Sequence, residues 1–478
     1  MPVSRHLSQN PAAPAAGDDR WLSPEQTPQP AGKTRKGLRL MPLAAWLLGA
    51  GLFAGTSASQ AQSLLELYQA AHAYDATYLA AKALAESAPY RAAQSKALKR
   101  PNAALGGSAS MAQVDPPTRG GLTSNSLNLA LSGRQSLYNR ANDVTIEQAE
   151  KQLQQSVHEL DSAEQDLIIR LAQAYFDVLA AQDTLATTGA SKAAISEQLA
   201  SAKRNFEVGT ATITDTREAQ ARFDLATAQE IAADNDLKSK RVVLDQLVGR
   251  IGVVPKQLAI PVVLPPLVPA QMEAWVSRAE AEHPAVQRAQ LALEVARLEV
   301  NKARAGRQPT LDAVASVSAT HANGSAAAFN GNKGTTGNAS VGLQFNLPLY
   351  TGGLVDNRIQ ETLVLEDKAR NDLEAARRAV SQATRTAFLA VQSGEAQVKA
   401  LEAAESSSLL AVEATLLGYK VGVRVNLDVL NAQTQLYTTR RDLAQARYNL
   451  LLSRLRLAQA SGKLLANDVA AVDRLLKR

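Results

Sequence analysis

A sixteen-residue stretch that occurs twice constrains this chain more than any other feature. One copy runs Asn205-Phe-Glu-Val-Gly-Thr-Ala-Thr-Ile-Thr-Asp-Thr-Arg-Glu-Ala-Gln220 and the other Gly418-Tyr-Lys-Val-Gly-Val-Arg-Val-Asn-Leu-Asp-Val-Leu-Asn-Ala-Gln433. A shift of 213 positions, without a gap, carries Val208, Gly209, Asp215, Ala219 and Gln220 onto Val421, Gly422, Asp428, Ala432 and Gln433. The same shift carries Leu237, Arg241, Leu244 and Gly249 onto Leu450, Arg454, Leu457 and Gly462. Each copy is the break between two very long helical patterns. It reads as a hairpin tip, and the chain as two halves built on one plan.

The arms of these hairpins are too long for ordinary globular helices, which average about three turns. No proline falls between Asn142 and Phe206, where Leu153, Leu160, Leu167 and Ala174 recur every seven residues, joined by Val157, Leu171 and Val178. At about 1.5 Å per residue such a helix reaches roughly 100 Å. Val355–Leu417 is equally free of proline, and the returning arm places Leu436, Leu443, Leu450, Leu457 and Leu464 at strict sevens. Small residues (Thr439, Ala446, Ser453, Ala460) follow the first four at three positions further on. This is the pattern of a coiled-coil seam whose small residues admit close backbones.

Ahead of each long arm the period changes. Helical patterns over 63–99 and 272–305 break at Pro101 and Pro309. Then Ala103, Leu105, Gly107, Ala109 and Met111 alternate with polar or small residues, as do Leu127, Leu129 and Leu131 after a Pro/Gly-rich loop. The second half repeats this with Leu311, Ala313, Ala315, Val317 and Ala319, then Val341, Leu343, Phe345 and Leu347; Val314 is the exception. These segments predict two strands of about ten residues per half, the length of a tilted membrane-spanning strand. The small, polar opposite face suits a water-filled lumen. A soluble sheet on a core is the competing reading. In lipid, an open sheet edge leaves unpaired backbone groups at several kcal/mol each, so four strands must share a barrel. Three chains giving twelve strands is the most economical closure.

Charge and composition exclude other classes. Residues 1–61 carry six Lys/Arg and three Asp/Glu, so 51 against 45 overall becomes 45 against 42, a net of +3, which gives no footprint for nucleic acid. The absence of cysteine removes disulfides, thiolate metal sites and an N-terminal lipid anchor. His6, His72, His158, His283 and His321 show no metal-ligand spacing, and no phosphate loop, nucleophile elbow or HExxH occurs. No enzyme, cofactor or metal is expected. Basic residues from Lys33 to Arg39, an apolar run from Leu40 to Ala54 and Ser59-Gln-Ala61 read as an export signal cleaved after Ala61. The expected organisation is a removed extension over 1–61, a first half over 62–254, a Pro-rich linker over 255–270, a second half over 271–465 and a short tail over 466–478.

The plan resembles the TolC family of outer-membrane efflux and secretion channels. The likeness is carried by the paired Phe/Tyr-x-Val-Gly tips, Ile213-Thr-Asp215, Leu347-Pro-Leu-Tyr-Thr-Gly-Gly353 and Ala446-Arg-Tyr-Asn449. It implies a mainly α protein with membrane β structure. Three chains form a homotrimer whose twelve-stranded barrel sits in outer-membrane lipid and continues as a periplasmic helical barrel. Implied partners are an inner-membrane ABC transporter or other pump and a periplasmic membrane-fusion adaptor. Within the family the chain looks nearest to components that export a protein toxin such as cyclolysin. A drug-efflux duct is the alternative, and a periplasmic coiled-coil adaptor the reading from another class.

By motif position the resemblance maps a closed-tip latch onto Thr214, Asp215, Tyr419 and Arg424, and adaptor contacts onto Val208, Gly209, Val421 and Gly422. Arg424 offers a planar fork of donors to a carboxylate, and a Tyr419 hydroxyl can share the acceptor. Asp215 followed by Glu218 also fits a helix N-cap with its capping box, and both readings stand. A ring of carboxylates at the narrowest point maps onto Asp428 and Asn431. Asn431 is uncharged, so three copies supply three carboxylates there instead of six, and weaker cation selectivity is expected. Asp428 as a solvated residue near a helix start is the plainer reading.

Overall fold

The computed structural model describes residues 61–115, 117, 120–261 and 265–477. The expected extension and export signal lie outside the described residues except for Ala61. Two helices open the fold, α1 (Leu64–Tyr74) and α2 (Ala76–Lys96), followed by strands β1 (Asn102–Val114) and β2 (Leu122–Tyr138). The long α3 (Arg140–Glu207) and its return α4 (Ile213–Val248) come next. The same order recurs in α5 (Met272–Glu282), α6 (Pro284–Ala305), β3 (Thr310–Asn323), a short α7 (Ser325–Phe329) and β4 (Gly334–Asn346). It continues through α8 (Leu354–Lys420) and α9 (Asn426–Ala460), and α10 (Ala466–Asp473) closes the chain.

Each leading helical pattern, expected as one helix, is two. Asp75 ends α1 and caps α2, its Oδ1 accepting from the Tyr78 amide at 2.8 Å. The same carboxylate takes both Nη groups of Arg170 at 2.9 Å, which holds its pKa below the usual carboxylate range. In the second half Pro284 forces the break, because a residue before proline is pushed out of the α region. His283 accordingly lies at φ −65°, ψ 130°, with its Nδ1 accepting from the Ala285 amide at 3.1 Å.

The strands form one antiparallel sheet in the order β1-β2-β3-β4. They run 13, 17, 14 and 13 residues, longer than the alternation predicts. Backbone pairing continues past the apolar stretch through polar rungs, where side-chain patterning gives no signal. Register aligns Leu105, Leu131 and Val317 in one row and Gly107, Leu129 and Ala319 in the next. Leu105, Leu129, Leu131, Val317, Val341 and Phe345 are all exposed. The opposite face is polar and bonded across strands, with Ser110–Ser126 at 2.7 Å, Ser316–Ser340 at 2.9 Å and Thr320 donating to Asn128 at 2.9 Å. Val314 lies on this face beside Arg134 and Gly342. Arg134 bonds Asp312 at 2.6 Å one rung away. A sheet with its apolar face outward is inverted relative to a soluble one.

The long helices supply the rest. α3 has 68 residues and α8 has 67, with returns of 36 and 35. α3 packs along α4 and α9 towards the tips and along α2 and α6 towards the sheet, while α8 packs along α9 and α6. Leu436, Leu443, Leu450, Leu457 and Leu464, expected as one seam, are all buried. Midway, Tyr175 and Phe176 of α3 meet Tyr448 of α9 in the largest core cluster. The Pro-rich segment and the tail wrap this point. Val253, Leu258, Val469, Val472 and Leu476 enter the same cluster, and bridges join Gln62 to Pro255 and Leu258 to Leu476. Among the described residues no helix is long and apolar enough to cross a membrane.

The His283 cap makes stability depend on pH. Burial disfavours the imidazolium and lowers its pKa, so on acidification the unfolded chain takes up this proton first. The contribution is complete above the ordinary imidazole value near 6.5 and declines below it. The neighbouring Glu282–Lys463 pair, at 2.9 Å, is exposed and common to both forms compared. His283→Asn keeps a capping acceptor and removes the titration. The thermal-unfolding midpoint of the wild type should fall relative to His283→Asn as pH drops from about 7.5 to about 5.5.

Candidate functional site: the paired hairpin tips

The two tips share one backbone geometry. At the first, the Val208 amide donates to Arg204, Gly209 to Phe206, and Thr210 and Ala211 both to Asn205. At the second, Val421 donates to Leu417, Gly422 to Tyr419, and Val423 and Arg424 both to Gly418. This closure requires a left-handed residue just past the helix end. Gly209 at φ +77° and Gly422 at φ +83° supply it, with open space around each. The apolar residues before them, Val208 and Val421, are exposed.

The side chains differ between tips. Thr212 caps α4: its hydroxyl accepts from the Asp215 amide at 3.2 Å, and Asp215 Oδ2 accepts from the Thr212 amide and hydroxyl at 3.0 and 2.8 Å. The cap is therefore Thr212, with Asp215 as its partner three residues on, and the expected box on Glu218 is displaced by one turn. The glycine turn spends the Thr210 and Ala211 amides on the Asn205 carbonyl at the end of α3, so Thr212 is the next residue placed to cap and the chain enters α4 at Ile213. Thr212-x-x-Asp215 was itself a capping signature in the sequence.

Tyr419 reaches the first tip, its hydroxyl accepting from Asn205 Nδ2 at 3.0 Å. Arg424 turns to its own helix and meets Asp428 at 3.5 Å. Gly418 makes this placement possible, since a Cβ there would lie 2.8 Å from Arg424 Cγ. Asn431 Oδ1 accepts from Arg222 Nη2 of α4 at 3.0 Å. A buried hydrogen bond from Gln198 to Asn426 ties α3 to the start of α9. Thr214 is exposed beside this group. Within one chain Asp215 and Arg424 are not joined. Asn205, Arg222 and Gln198 carry contacts that residue type alone did not single out, because their partners sit more than 200 positions away. No cluster among the described residues has the makeup of a metal site.

Two halves with matching tips, long paired helices and an outward-apolar sheet agree with comparison to known proteins. The family described as outer membrane efflux protein matches residues 67–250 and again 275–463. The chain belongs to this family. It is an outer-membrane efflux and secretion channel protein of the TolC type, as the motifs lead one to expect. Outer membrane protein TolC of Vibrio cholerae is 32% identical over 444 residues, covering 92% of this chain and 99% of the relative. Alkaline protease secretion protein AprF of Pseudomonas aeruginosa is 35% identical over 317 residues, covering 65% and 64%. Protein CyaE of Bordetella pertussis is 25% identical over 338 residues, covering 68% of each. In fold, the solved outer membrane protein VceC of Vibrio cholerae matches with a TM-score of 0.70 at 18% identity, over 84% of this chain and 96% of that one.

For this outer membrane efflux protein the Thr212–Asp215 cap sets the order of the first tip. Thr212→Ala should destabilise the start of α4 by about 1 kcal/mol. Hydrogen exchange at the Asp215 and Thr216 amides should speed several-fold, while amides beyond Ala226 stay unchanged.

Proposed function

We propose that three copies of this chain form one export duct. Their sheets pool into a twelve-stranded barrel in the outer membrane, and their helices into a periplasmic barrel closed at the tips. One observation carries this reading: the four-stranded sheet exposes its apolar face and leaves the outer edges of β1 and β4 without a strand partner among the described residues. With four alternating strands, β1 and β4 run in opposite directions, so β4 of one copy meets β1 of the next antiparallel. Repetition then closes a ring with no edge, as lipid demands. An adaptor has no use for such a sheet, and family membership argues against that reading.

The latch reading of Thr214, Asp215, Tyr419 and Arg424 is supported by unspent bonding capacity. Asp215 commits only Oδ2 within the chain, the Tyr419 hydroxyl accepts but still has a proton to give, and Arg424 holds Asp428 by one long contact. Each can reach a neighbouring copy. Partly wet bonds of this kind are worth about 1–3 kcal/mol each, so a periplasmic adaptor docking on Val208, Gly209, Val421 and Gly422 can release them. At the constriction, Arg222 beside Asn431 adds positive charge where one carboxylate ring is missing, which favours weak cation selectivity.

The cargo we propose is protein, exported with an inner-membrane ABC transporter and its adaptor. Support comes from the likeness to AprF, whose name is that of a protease secretion protein; the lower likeness to CyaE extends this to a toxin such as cyclolysin. Deleting the gene should abolish release of one secreted protein and leave drug sensitivity unchanged. The reverse result would make the duct a drug-efflux component.

Two further outcomes test the assembly. Leu129→Arg, on the lipid-facing side, should cost roughly 2–4 kcal/mol per chain and prevent heat-resistant trimers in lipid, whereas Ala130→Arg on the lumen side should be tolerated. The Tyr419→Phe/Arg424→Ser double variant should raise single-channel conductance in planar bilayers. Wild-type conductance in that variant would remove these residues from the latch.

A further inference from the structure

A cavity of about 940 Å³ opens in the groove between α3 and α4, beside the Pro-rich segment and the tail. Gln182 and Leu185 of α3 and Leu237 and Arg241 of α4 line it. A shift of 213 positions turns these four into Glu395, Val398, Leu450 and Arg454, in the groove between α8 and α9. That second groove is filled by the chain itself. Arg454 donates Nη1 to the Pro265 carbonyl and Nη2 to Glu395, both at 2.6 Å. Leu267, Met272 and Trp275 pack against the cluster of Phe388, Val391, Leu450 and Leu457.

In the first groove Gln182 stands where the carboxylate should be, and no described segment crosses it. Arg241 has no hydrogen-bond or ion-pair partner among the described residues, and its Nε is buried. Arg241 is half-buried, so its unspent N–H groups face the cavity and are available to an anion. Two more cations face the same space. Lys256 forms no ion pair among the described residues, and Lys477 Nζ reaches only the Gln257 amide oxygen at 2.9 Å. The one carboxylate in the wall, Glu66, already accepts from the Ser63 amide at 3.2 Å in the cap of α1. Elsewhere the wall is apolar, through Val254 and Pro255.

We propose that this cavity is a docking site for an extended acidic peptide segment of another envelope protein. One carboxylate of that segment sits in the fork of Arg241, flanked by Lys256 and Lys477. Its apolar neighbours fill the volume that Leu267 and Trp275 occupy in the sister groove. The sister groove shows that this helix pair accepts a polypeptide, and the exchange of Glu395 for Gln182 leaves the carboxylate to be supplied from outside. A small anion would satisfy the guanidinium and leave the apolar wall uncovered.

The probe is a fluorescent peptide, Glu-Pro-Leu-Val-Pro-Ala-Gln, which is the sequence of residues 265–271 with glutamate in first place. Its control carries glutamine there. On the purified protein in detergent, the glutamate peptide should bind one site per chain and at least about tenfold more tightly than the control. Arg241→Gln should erase that preference, and Arg241→Lys, which keeps charge but not the fork, should retain part of it. Unchanged helical circular dichroism and thermal-unfolding midpoint show that either variant is folded. Equal binding of the two peptides, a preference that survives Arg241→Gln, or no peptide binding at all would overturn the proposal. So would inorganic phosphate binding at Arg241 while the peptide is excluded, or a Leu185→Cys crosslink to residues of the same chain before Gln62. Binding is read without conductance, so it stands or falls apart from the duct.

Discussion

Everything in this fold answers to the hydrogen-bonding demand of a β-sheet edge. β1 and β4 each leave one side of their backbone unpaired, and the sheet turns its leucines outward. In water such a sheet would aggregate, and in lipid its open edges would be prohibitively costly. The chain is thus an incomplete object alone, and in the proposed duct two further copies complete it. The helices obey the same logic at their own scale. The 67-residue α8 and the 36-residue α4 do not bury all their apolar positions within one chain, and Leu225 and Val242 on α4 and Leu389 and Leu410 on α8 remain exposed.

The two halves share a register yet diverge where their side chains meet a partner. Asn205 and Gly418 occupy matching positions. Asn205 reaches across to Tyr419, while Gly418 clears the space in which Arg424 lies against α8. Gln182 and Glu395 also match, and with one carboxylate lost Arg241 has no partner among the described residues while Arg454 is doubly held. The common framework positions the tips and grooves, and the departures from it give each tip and groove its own chemistry.

Much of this was legible in order along the chain. Heptad leucines such as Leu436 and Leu443 announce a seam because a period of seven keeps them on one face of a helix, and both are buried. Val-Gly at each tip announces the turn, since only glycine takes the left-handed conformation cheaply. Strand ends were not legible, because the backbone ladder continues through serines and asparagines that carry no apolar alternation. The break at Asp75 was hidden for a different reason: its carboxylate is fixed by Arg170, 95 positions away. The break at His283 was written in Pro284, a local rule that the helical period obscured.

By itself the sequence determined the periods: seven in the long arms, two in the sheet, and the glycine-marked reversal between arms. Those are properties of neighbouring residues, set by local backbone geometry and the spacing of apolar side chains. Only the tertiary structure decided which polar groups meet. Arg222 finds Asn431, Tyr419 finds Asn205, and Arg241 finds no partner among the described residues, because each outcome depends on how helices distant in sequence pack side by side.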